Sequence, residues 1–287
     1  MARLRDRLVE NVDGDFFVDS SCIDCDLCRQ LAPATFARAE RSGRSYVAQQ
    51  PADDGAQHRA LMALVTCPTS SIGTTRKLDV RAATRAFPER VEDEVYFCGW
   101  ASDASYGAAS WLVRRPDGNV LIDSPRESST LMARLDELGG VRFMFLTHRD
   151  DVASHEAYRE RFACERIIHR ADARAIHAER IVDGTDPIDV APDLRLVPVP
   201  GHTRGSMVLI VREAFAFTGD HVWASDDETG LAAGRDVCWY SWPEQKASMR
   251  RLADEGFHYV LPGHGRRFRA ATPEAMRTAL LELAAAM

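Results

Sequence analysis

Hydrophobic and polar positions follow a regular pattern in the last two thirds of the chain, where short apolar runs alternate with segments of helical spacing. The run "VRFMFLT" (141–147) is almost continuously apolar and predicts a buried strand, whereas "STLMARLDEL" (129–138) predicts a helix that ends at two glycines. The polar stretch before residue 94 contains Pro88 and predicts a connector. We therefore expect a small domain at 1–78, a connector at 79–93 and an α/β domain at 94–287.

Composition and charge change this picture little, but they exclude some partners. The chain has 287 residues, of which 45% are hydrophobic and 28% charged, and these are ordinary globular values. The net charge of −7 disfavours nucleic acid, because phosphate binding needs a basic surface. No apolar run approaches the roughly 20 residues that span a bilayer, and the N-terminal residues lack the apolar core of a secretory signal. We predict a cytoplasmic protein that binds neither nucleic acid nor membranes.

Four of the seven cysteines form one pattern near the N-terminus. "SSCIDCDLC" places Cys22, Cys25 and Cys28 at two-residue gaps, and Cys67 follows far along the chain, directly before Pro68. Three thiolates at this spacing can surround one corner of a cuboidal cluster, and a remote fourth thiolate closes the cage. A structural zinc site more often uses two separated pairs, so this pattern favours iron–sulfur over zinc.

Residues from about 10 to 75 resemble a single-cluster ferredoxin. The middle ligand position is Cys25 rather than an aspartate, so the resemblance implies a complete 4Fe–4S cluster and not a three-iron one. "DFFVDS" (15–20) predicts a short strand, and "ALMALVT" (60–66) predicts the helix that delivers Cys67. We expect this first domain to be a small ferredoxin-like α+β domain that binds a 4Fe–4S cluster.

In the α/β domain, four apolar runs are each followed by a side chain of metal-ligand type. The segments are "FLTHRDD", "VPVPGHT", "AFTGDH" and "VLPGHG". Strand ends combine a rigid position with exposure, and metal ligands and catalytic groups collect there. A single histidine after a strand would be weak support for a metal site, but four such strand ends predict one, with the ligands His148, His202, Asp220 and His264.

The order of these motifs resembles the metallo-β-lactamase superfamily over residues 94 to about 270. The resemblance implies an αββα sandwich with metals at its edge. His202, Asp220 and His264 match the third, fourth and fifth metal-binding motifs of the family, and the resemblance implies that Asp220 bridges two metals. Asp123 matches the first motif, where an aspartate supports the site without binding the metal.

The segment "THRDDVASH" departs from the family pattern His-x-His-x-Asp-His. His148 keeps the first place, but Asp150 stands where the second histidine is expected. If the loop is two residues longer, His155 takes the place of the final histidine, and Asp151 supplies the missing carboxylate from the same face of a helix over 152–163. In the alternative interpretation, one of the two aspartates is only the N-cap of that helix.

The metals and the reaction follow from this ligand set. We predict one or two divalent metals and favour iron over zinc, because carboxylate ligands shift preference toward harder ions; in diiron flavoproteins of this superfamily an acid likewise replaces the second histidine. The first prediction is a hydrolase with a metal-activated water, acting on a small-molecule substrate, with Asp220 and Asp151 as catalytic residues. The alternative is a redox enzyme whose ferredoxin domain receives electrons from a redox partner protein and feeds them to a non-haem iron.

A third interpretation is an electron carrier with a degenerate metallo-β-lactamase module. It is supported by the loss of two standard ligand positions, which are occupied here by Val152 and Ser154. Two further features near the motifs stay open. Arg204 could attract an anionic substrate or face water. The aromatic side chains of "CWYSWP" could form a pocket wall or a domain interface, although core packing is the preferred interpretation for Trp239, Tyr240 and Trp242.

Overall fold

The structure is a computed structural model that describes residues 2–287. Its Cα positions group into two compact units, each made of several chain segments. The first unit comprises Met1–Asn119, Pro125–Val141 and Ala153–Arg161, and the second comprises Val120–Ser124, Arg142–Val152 and Phe162–Met287.

The N-terminal part of the first unit contains two small antiparallel sheets and two α-helices. The strand predicted at "DFFVDS" is confirmed as β1, and the helix predicted at "ALMALVT" is the C-terminal half of α2. The Asp53 side chain caps α2 by accepting a hydrogen bond from the Ala56 N–H, and Cys67 is the residue at its C-cap. Strand β1 pairs with β4, and β2 pairs with β3. The elements are β1 (Phe16–Val18), α1 (Leu27–Leu31), β2 (Phe36–Arg38), β3 (Ser45–Val47), α2 (Asp54–Thr66) and β4 (Ile72–Thr74).

The rest of the first unit contains three antiparallel strands and three α-helices. The residues predicted as a connector include one helix and one strand, and that strand pairs with the next one along the chain. The helix predicted at 129–138 is confirmed as α4, and the Ser128 side chain caps it by accepting from the Leu131 N–H. The elements are α3 (Arg81–Arg85), β5 (Glu89–Glu92), β6 (Val95–Phe97), β7 (Trp111–Val113), α4 (Ser129–Glu137) and α5 (His155–Phe162).

The second unit begins with four strands that run parallel to one another. They are hydrogen-bonded in chain order, and the predicted strand at "VRFMFLT" is the second of them. Its three residues are all buried, as its continuous apolarity predicts. The strands are β8 (Val120–Ile122), β9 (Phe143–Phe145), β10 (Glu165–His169) and β11 (Arg180–Val182).

A six-stranded mixed sheet forms the rest of the second unit, with a two-stranded ribbon and two long helices. The strand order is β12-β13-β14-β15-β18-β19, and only β15 and β18 pair in parallel. The elements are β12 (Ile188–Ala191), β13 (Leu194–Pro198), β14 (Met207–Val211), β15 (Phe215–Gly219), β16 (Trp223–Ala224), β17 (Leu231–Ala232), α6 (Trp242–Leu252), β18 (Tyr259–Pro262), β19 (Phe268–Arg269) and α7 (Pro273–Ala286).

Both faces of the two central strands of this sheet, β14 and β15, are buried. Alternate positions of β14, such as Val208 and Ile210, belong to the same apolar cluster as Met276 and Leu280 of α7. The residues between them in β14 are buried too, so neither face of this strand is exposed to solvent. Among residues 2–287, no helix has the length and apolar character needed to cross a membrane.

Candidate metal centre and iron–sulfur site

The residues predicted from strand ends in the second unit lie in loops that directly follow β9, β13, β15 and β18. The structure brings most of them together in two overlapping groups, each with ligand atoms within 4.8 Å of one another. The first group is His148, Asp150 and His202, and the second is His148, Asp151 and Asp220. His148 is common to both groups, so the two positions for a cation are adjacent.

The distances between these atoms are too long for hydrogen bonds. The Nε2 atom of His202 lies 3.7 Å from Oδ2 of Asp150 and 3.7 Å from Oδ2 of Asp220. The Nε2 atom of His148 lies 3.8 Å from Oδ2 of Asp220. Metal–nitrogen and metal–oxygen bonds are about 2.0–2.2 Å long, so two ligands of one tetrahedral ion are about 3.4 Å apart. The observed spacings are therefore close to those of ligands that share a cation.

Several of these polar atoms are buried without a hydrogen-bond partner within residues 2–287. They are Nε2 of His148, Nε2 of His202 and Oδ2 of Asp151. A buried polar atom without a partner is costly, and native proteins rarely keep one unless it binds something else. His202 belongs to the first group, Asp151 to the second and His148 to both, so each group contains unpartnered atoms that fit a metal ion.

Thr147 fixes the orientation of the His148 ring. The Thr147 Oγ1 atom lies 2.9 Å from Nδ1 of His148 and 3.0 Å from the Asp123 carboxylate, which also accepts a hydrogen bond from the Thr147 N–H at 2.8 Å. When Asp123 is a carboxylate, which can only accept, Thr147 donates its single hydroxyl proton to Asp123 and accepts from Nδ1–H of His148. The free lone pair of His148 is then on Nε2, the atom that faces the other ligands.

Asp123 is buried, as expected of a residue that supports the site from behind. Burial raises the pKa of Asp123 to about 8, and its hydrogen bonds from Thr147 act in the opposite direction. A cation bound in front of His148 would favour the carboxylate form. The position of Asp123 therefore agrees with its predicted supporting role.

The pKa values of the other ionisable groups are shifted in directions that suit metal ligands. Burial lowers the pKa of His148 to about 4, so its imidazole is neutral at pH 7. Burial acts to raise the pKa of Asp220, but His264 and the other imidazoles outweigh burial and lower it below the ordinary value. Burial raises the pKa of Asp151 well above its ordinary value, so a bare carboxylate there needs a cation beside it.

Two glycines leave room for these side chains. A Cβ atom at Gly263 would lie 2.8 Å from Oδ2 of Asp151 and 3.0 Å from Oδ1 of Asp220, which is too close for any real side chain. At Gly219, where φ is +50°, a Cβ atom would lie 2.5 Å from Oγ1 of Thr147. The glycines of "TGD" and "PGHG" therefore serve the site by letting the backbone approach it.

His264 and His155 belong to neither of the two groups. Nδ1 of His264 lies 2.8 Å from Oδ1 of Asp220, within hydrogen-bond distance. His155 is buried and is the first residue of α5, in the first unit. The roles of His155 and His264 as ligands stay predictions.

The helix after the motif begins later than predicted. It starts at His155 rather than 152, because the carbonyl of Ser154 accepts the first N–H bonds, from Ala157 and Tyr158. The expectation that Asp151 and His155 share a helical face was therefore wrong, and neither aspartate is an N-cap. Asp151 is instead held in a turn, where its carbonyl accepts a hydrogen bond from the Ser124 N–H at 3.1 Å.

The aromatic residues after β17 also differ from the preferred interpretation. Trp239 and Tyr240 are 61% and 48% exposed, so core packing was wrong for both. Their backbone N–H groups donate to the carbonyl of His202 at 2.9 and 3.0 Å, and the Trp239 ring lies 6.2 Å from the His202 ring. They form a wall beside the metal centre.

Sequence reasoning missed two residues that organise this site, Thr147 and Asp172. Thr147 lies inside the quoted motif, but threonine is not a metal ligand and was passed over. Asp172 is 2% exposed and follows the end of β10, so the same strand-end rule would have found it.

The four cysteines of the N-terminal motif line one cavity in the first unit, together with Val18, Ile23 and Ile72. The chain can turn here because Asp24 and Asp26 both adopt the left-handed conformation, with φ of 59° and 65°. Burial, together with the neighbouring cysteines, raises the pKa of Cys25, and burial raises that of Cys28 to about 12. Thiolates there need a cationic centre, so the arrangement fits a cluster.

The loop before β7 comes close to this cavity within the same unit. A Cβ atom at Gly107, where φ is +85°, would lie 2.6 Å from Cβ and 3.2 Å from Sγ of Cys25. The Ser71 N–H donates to Sγ of Cys67 at 3.2 Å. Hydrogen bonds and close backbone of this kind are how proteins surround iron–sulfur clusters.

The fold and the site define a metallohydrolase-like protein with an iron–sulfur domain, and comparison with known families agrees. Residues 18–74 match the family described as the 4Fe–4S single cluster domain of ferredoxin I. Residues 96–286 match the metallo-β-lactamase superfamily. The chain belongs to the metallo-β-lactamase superfamily and carries an N-terminal single-cluster ferredoxin domain; its fold is the sandwich of that family.

A curated relative is the hydroxyacylglutathione hydrolase of Stenotrophomonas maltophilia (strain R551-3). It is 26% identical over 128 residues, which is 44% of this chain and 48% of the relative. The matched region therefore spans about half the length of that relative.

Solved structures show the same fold at low sequence identity. A metallo-β-lactamase from Erythrobacter litoralis, with β-mercaptoethanol in its active site, is 17% identical with a TM-score of 0.54, over 69% of this chain and 96% of that one. The B3 metallo-β-lactamase BLEG-1 is 16% identical with a TM-score of 0.52, over 66% and 99%. The mono-zinc form of FIM-1 from Pseudomonas aeruginosa is 16% identical with a TM-score of 0.51, over 69% and 93%.

Proposed function

We propose that the protein is a metal-dependent hydrolase that cleaves an ester, thioester or amide bond of a small molecule. The observation that carries this proposal is the set of buried, unpartnered atoms on His148, His202 and Asp151, which face Asp150 and Asp220 at ligand spacing. A bound divalent cation would supply Lewis acidity, which lowers the pKa of water and polarises a carbonyl group.

The residues of the chain would divide this work. One cation would be bound by His148, Asp150 and His202. A second cation would be bound by Asp151 and Asp220, with either His148 or His264 as the imidazole ligand. Asp150 is the exposed member, at 46% against 1% for His148, so its side of the site faces solvent and substrate. Thr147 would keep Nε2 of His148 unprotonated, and so available, throughout turnover.

We propose iron rather than zinc for these positions. Each group contains at least one carboxylate, and the second contains two beside a single imidazole. Oxygen-rich ligand sets favour harder ions than imidazole-rich sets do. The likeness to zinc-containing enzymes concerns the fold alone and does not choose the metal.

The proposal is tested by hydrolysis of a neutral aryl ester and a neutral thioester by protein loaded with iron or zinc. Asp220→Asn should lower kcat/KM at least about 100-fold, because it removes a carboxylate that lies within 3.8 Å of His148, His202 and His264. Asp226→Asn, an exposed residue of the same unit, is the matched control and should retain wild-type turnover. Equal activity of the Asp220 and Asp226 variants would contradict a hydrolytic role for this site.

A second function is favoured by one observation, the complete set of cluster ligands in the ferredoxin domain. In that case the cluster would pass electrons to an iron bound by the strand-end ligands, and the reaction would be a reduction or oxygenation. Cys25→Ser separates the two proposals. A hydrolase should keep its turnover in this variant, whereas a redox enzyme should lose it.

A further inference from the structure

A second cavity, of about 700 Å³, lies in the same unit as the candidate metal centre. This volume is typical of small-molecule sites. Its lining is unusually basic, with four arginines that come from three separate loops: Arg149, Arg170, Arg174 and Arg204. Pro198, Pro200 and Tyr240 provide apolar and aromatic wall.

The lining of this basic cavity is continuous in sequence with the candidate metal ligands. Arg149 lies between His148 and Asp150, and Arg204 follows His202 by two positions. The N–H of Tyr240 donates to the carbonyl of His202 at 3.0 Å. A molecule in the cavity would therefore lie against the same loops that carry the metal ligands.

The arginines are not all neutralised by the protein. Arg170 pairs with Asp183 at 2.6 Å, and Nε of Arg149 lies 3.7 Å from Oδ1 of Asp150. Within residues 2–287, Arg174 and Arg204 have no ion-pair partner. Glu244 is the other acidic residue in the lining, so four arginines face two carboxylates there.

One buried carboxylate holds the three arginine loops together. Asp172, which lies between Arg170 and Arg174, accepts hydrogen bonds from the Arg149 N–H at 3.2 Å and the Gly205 N–H at 3.1 Å, and from the Thr203 hydroxyl at 2.5 Å. A Cβ atom at Gly205 would lie 2.6 Å from Cγ of Asp172, so the glycine permits this contact. Such pre-ordering is how binding sites avoid the entropic cost of arranging flexible side chains.

We propose that this cavity binds an anionic group of the substrate, a carboxylate or a phosphate, while the scissile bond lies at the metal centre. This substrate class rests on the proposed hydrolase function. Guanidinium groups recognise carboxylate and phosphate through two parallel hydrogen bonds, and an arginine without a partner in the protein is free to do so. Asp172 is a positioning residue, since it acts through the loops that it joins.

The first test is direct binding to the metal-loaded protein by isothermal titration calorimetry, with succinate and inorganic phosphate as separate probes. At least one probe should bind, and the tighter one identifies which anion the cavity takes. Arg174→Gln and Arg204→Gln should each weaken binding about fivefold, the scale of one exposed charge pair. Arg250→Gln, an exposed arginine of α6, should bind as the wild type does. Binding that persists in both cavity variants but disappears in His202→Ala would place the anion on the metal and overturn the proposal.

The second test is selectivity between S-acetylthioglycolate and its uncharged amide, which share the same scissile bond. The ratio of kcat/KM for the charged over the neutral thioester should fall about fivefold in Arg174→Gln, Arg204→Gln and Asp172→Asn, and should stay at the wild-type value in Arg250→Gln. An unchanged ratio in the two arginine variants would overturn the proposal. If the wild type cleaves neither these thioesters nor the neutral aryl ester, the hydrolase proposal fails, and calorimetry alone decides whether the cavity binds anions.

Discussion

Thr147 shows how much of the candidate metal centre depends on a residue that binds no metal. Its hydroxyl connects the buried Asp123 carboxylate to Nδ1 of His148, and this leaves Nε2 as the only nitrogen of that ring able to bind a cation. Without the hydroxyl, the neutral imidazole could take either tautomer. The tautomer of His148 is therefore determined by Thr147, the residue that precedes the ligand.

The role of Thr147 can be measured with two substitutions. Thr147→Val keeps the shape but removes the hydroxyl, and it should weaken metal binding about 10- to 100-fold, as losses of ligand-orienting hydrogen bonds do. Thr147→Ser keeps the hydroxyl and should bind within about threefold of the wild type. Competition with a chromophoric chelator measures both affinities. Equal affinity of the Val and Ser variants would show that Thr147 does not orient His148.

Gly263 tests the close approach of backbone to ligand. In Gly263→Ala the new Cβ atom would meet the carboxylates of Asp151 and Asp220, so metal affinity should fall at least about tenfold. Gly256→Ala is the matched control, since a Cβ atom there would meet nothing within 4 Å. The same chelator competition applies. Equal metal affinity of the two alanine variants would show that the backbone at Gly263 does not restrict the carboxylates of Asp151 and Asp220.

At the scale of elements, the site is made by strands that deliver side chains to loops. Strands β9, β13 and β15 are rigid because all their residues but Arg195 are buried, and the ligands follow them within a few residues. In the first unit, α2 does the same for Cys67, which stands at its C-cap. Regular elements thus give precision, while the loops beyond them give access.

The loop that contains Gly107 is predicted to matter for the cluster. Gly107→Ala would place a methyl group against Cβ of Cys25 and should reduce the iron retained by the purified protein, since overpacking costs about 1–3 kcal/mol. Gly184→Ala controls for the backbone strain of a residue with positive φ, because φ there is +89° but a Cβ atom meets nothing within 4 Å. Iron content and visible absorbance per chain are the measurements. Full iron in the Gly107 variant would show that this loop does not confine Cys25.

At the scale of the whole molecule, the sequence predicted the family, the fold and the strand-end positions of His148, His202 and Asp220. These predictions succeeded because strand periodicity and short motifs are local properties. The contacts of Asp172 could not be predicted in the same way, since its partner Thr203 is 31 positions away and only the folded loops bring them together. The start of α5 was also missed, because "DDVAS" offers several residues able to cap a helix and tertiary contacts chose Ser154.

The central claim is that strand-end ligands bind metal in addition to the cluster. Metal content per chain after anaerobic purification tests it most directly, in the wild type, in His202→Ala and in the exposed control His177→Ala. A 4Fe–4S cluster accounts for four irons, so the wild type and the control should contain about five or six metals, and His202→Ala should contain at least about one metal fewer than the control, because His202 belongs to one of the two groups. Four irons and no further metal in the wild type would contradict the claim and would favour an electron carrier.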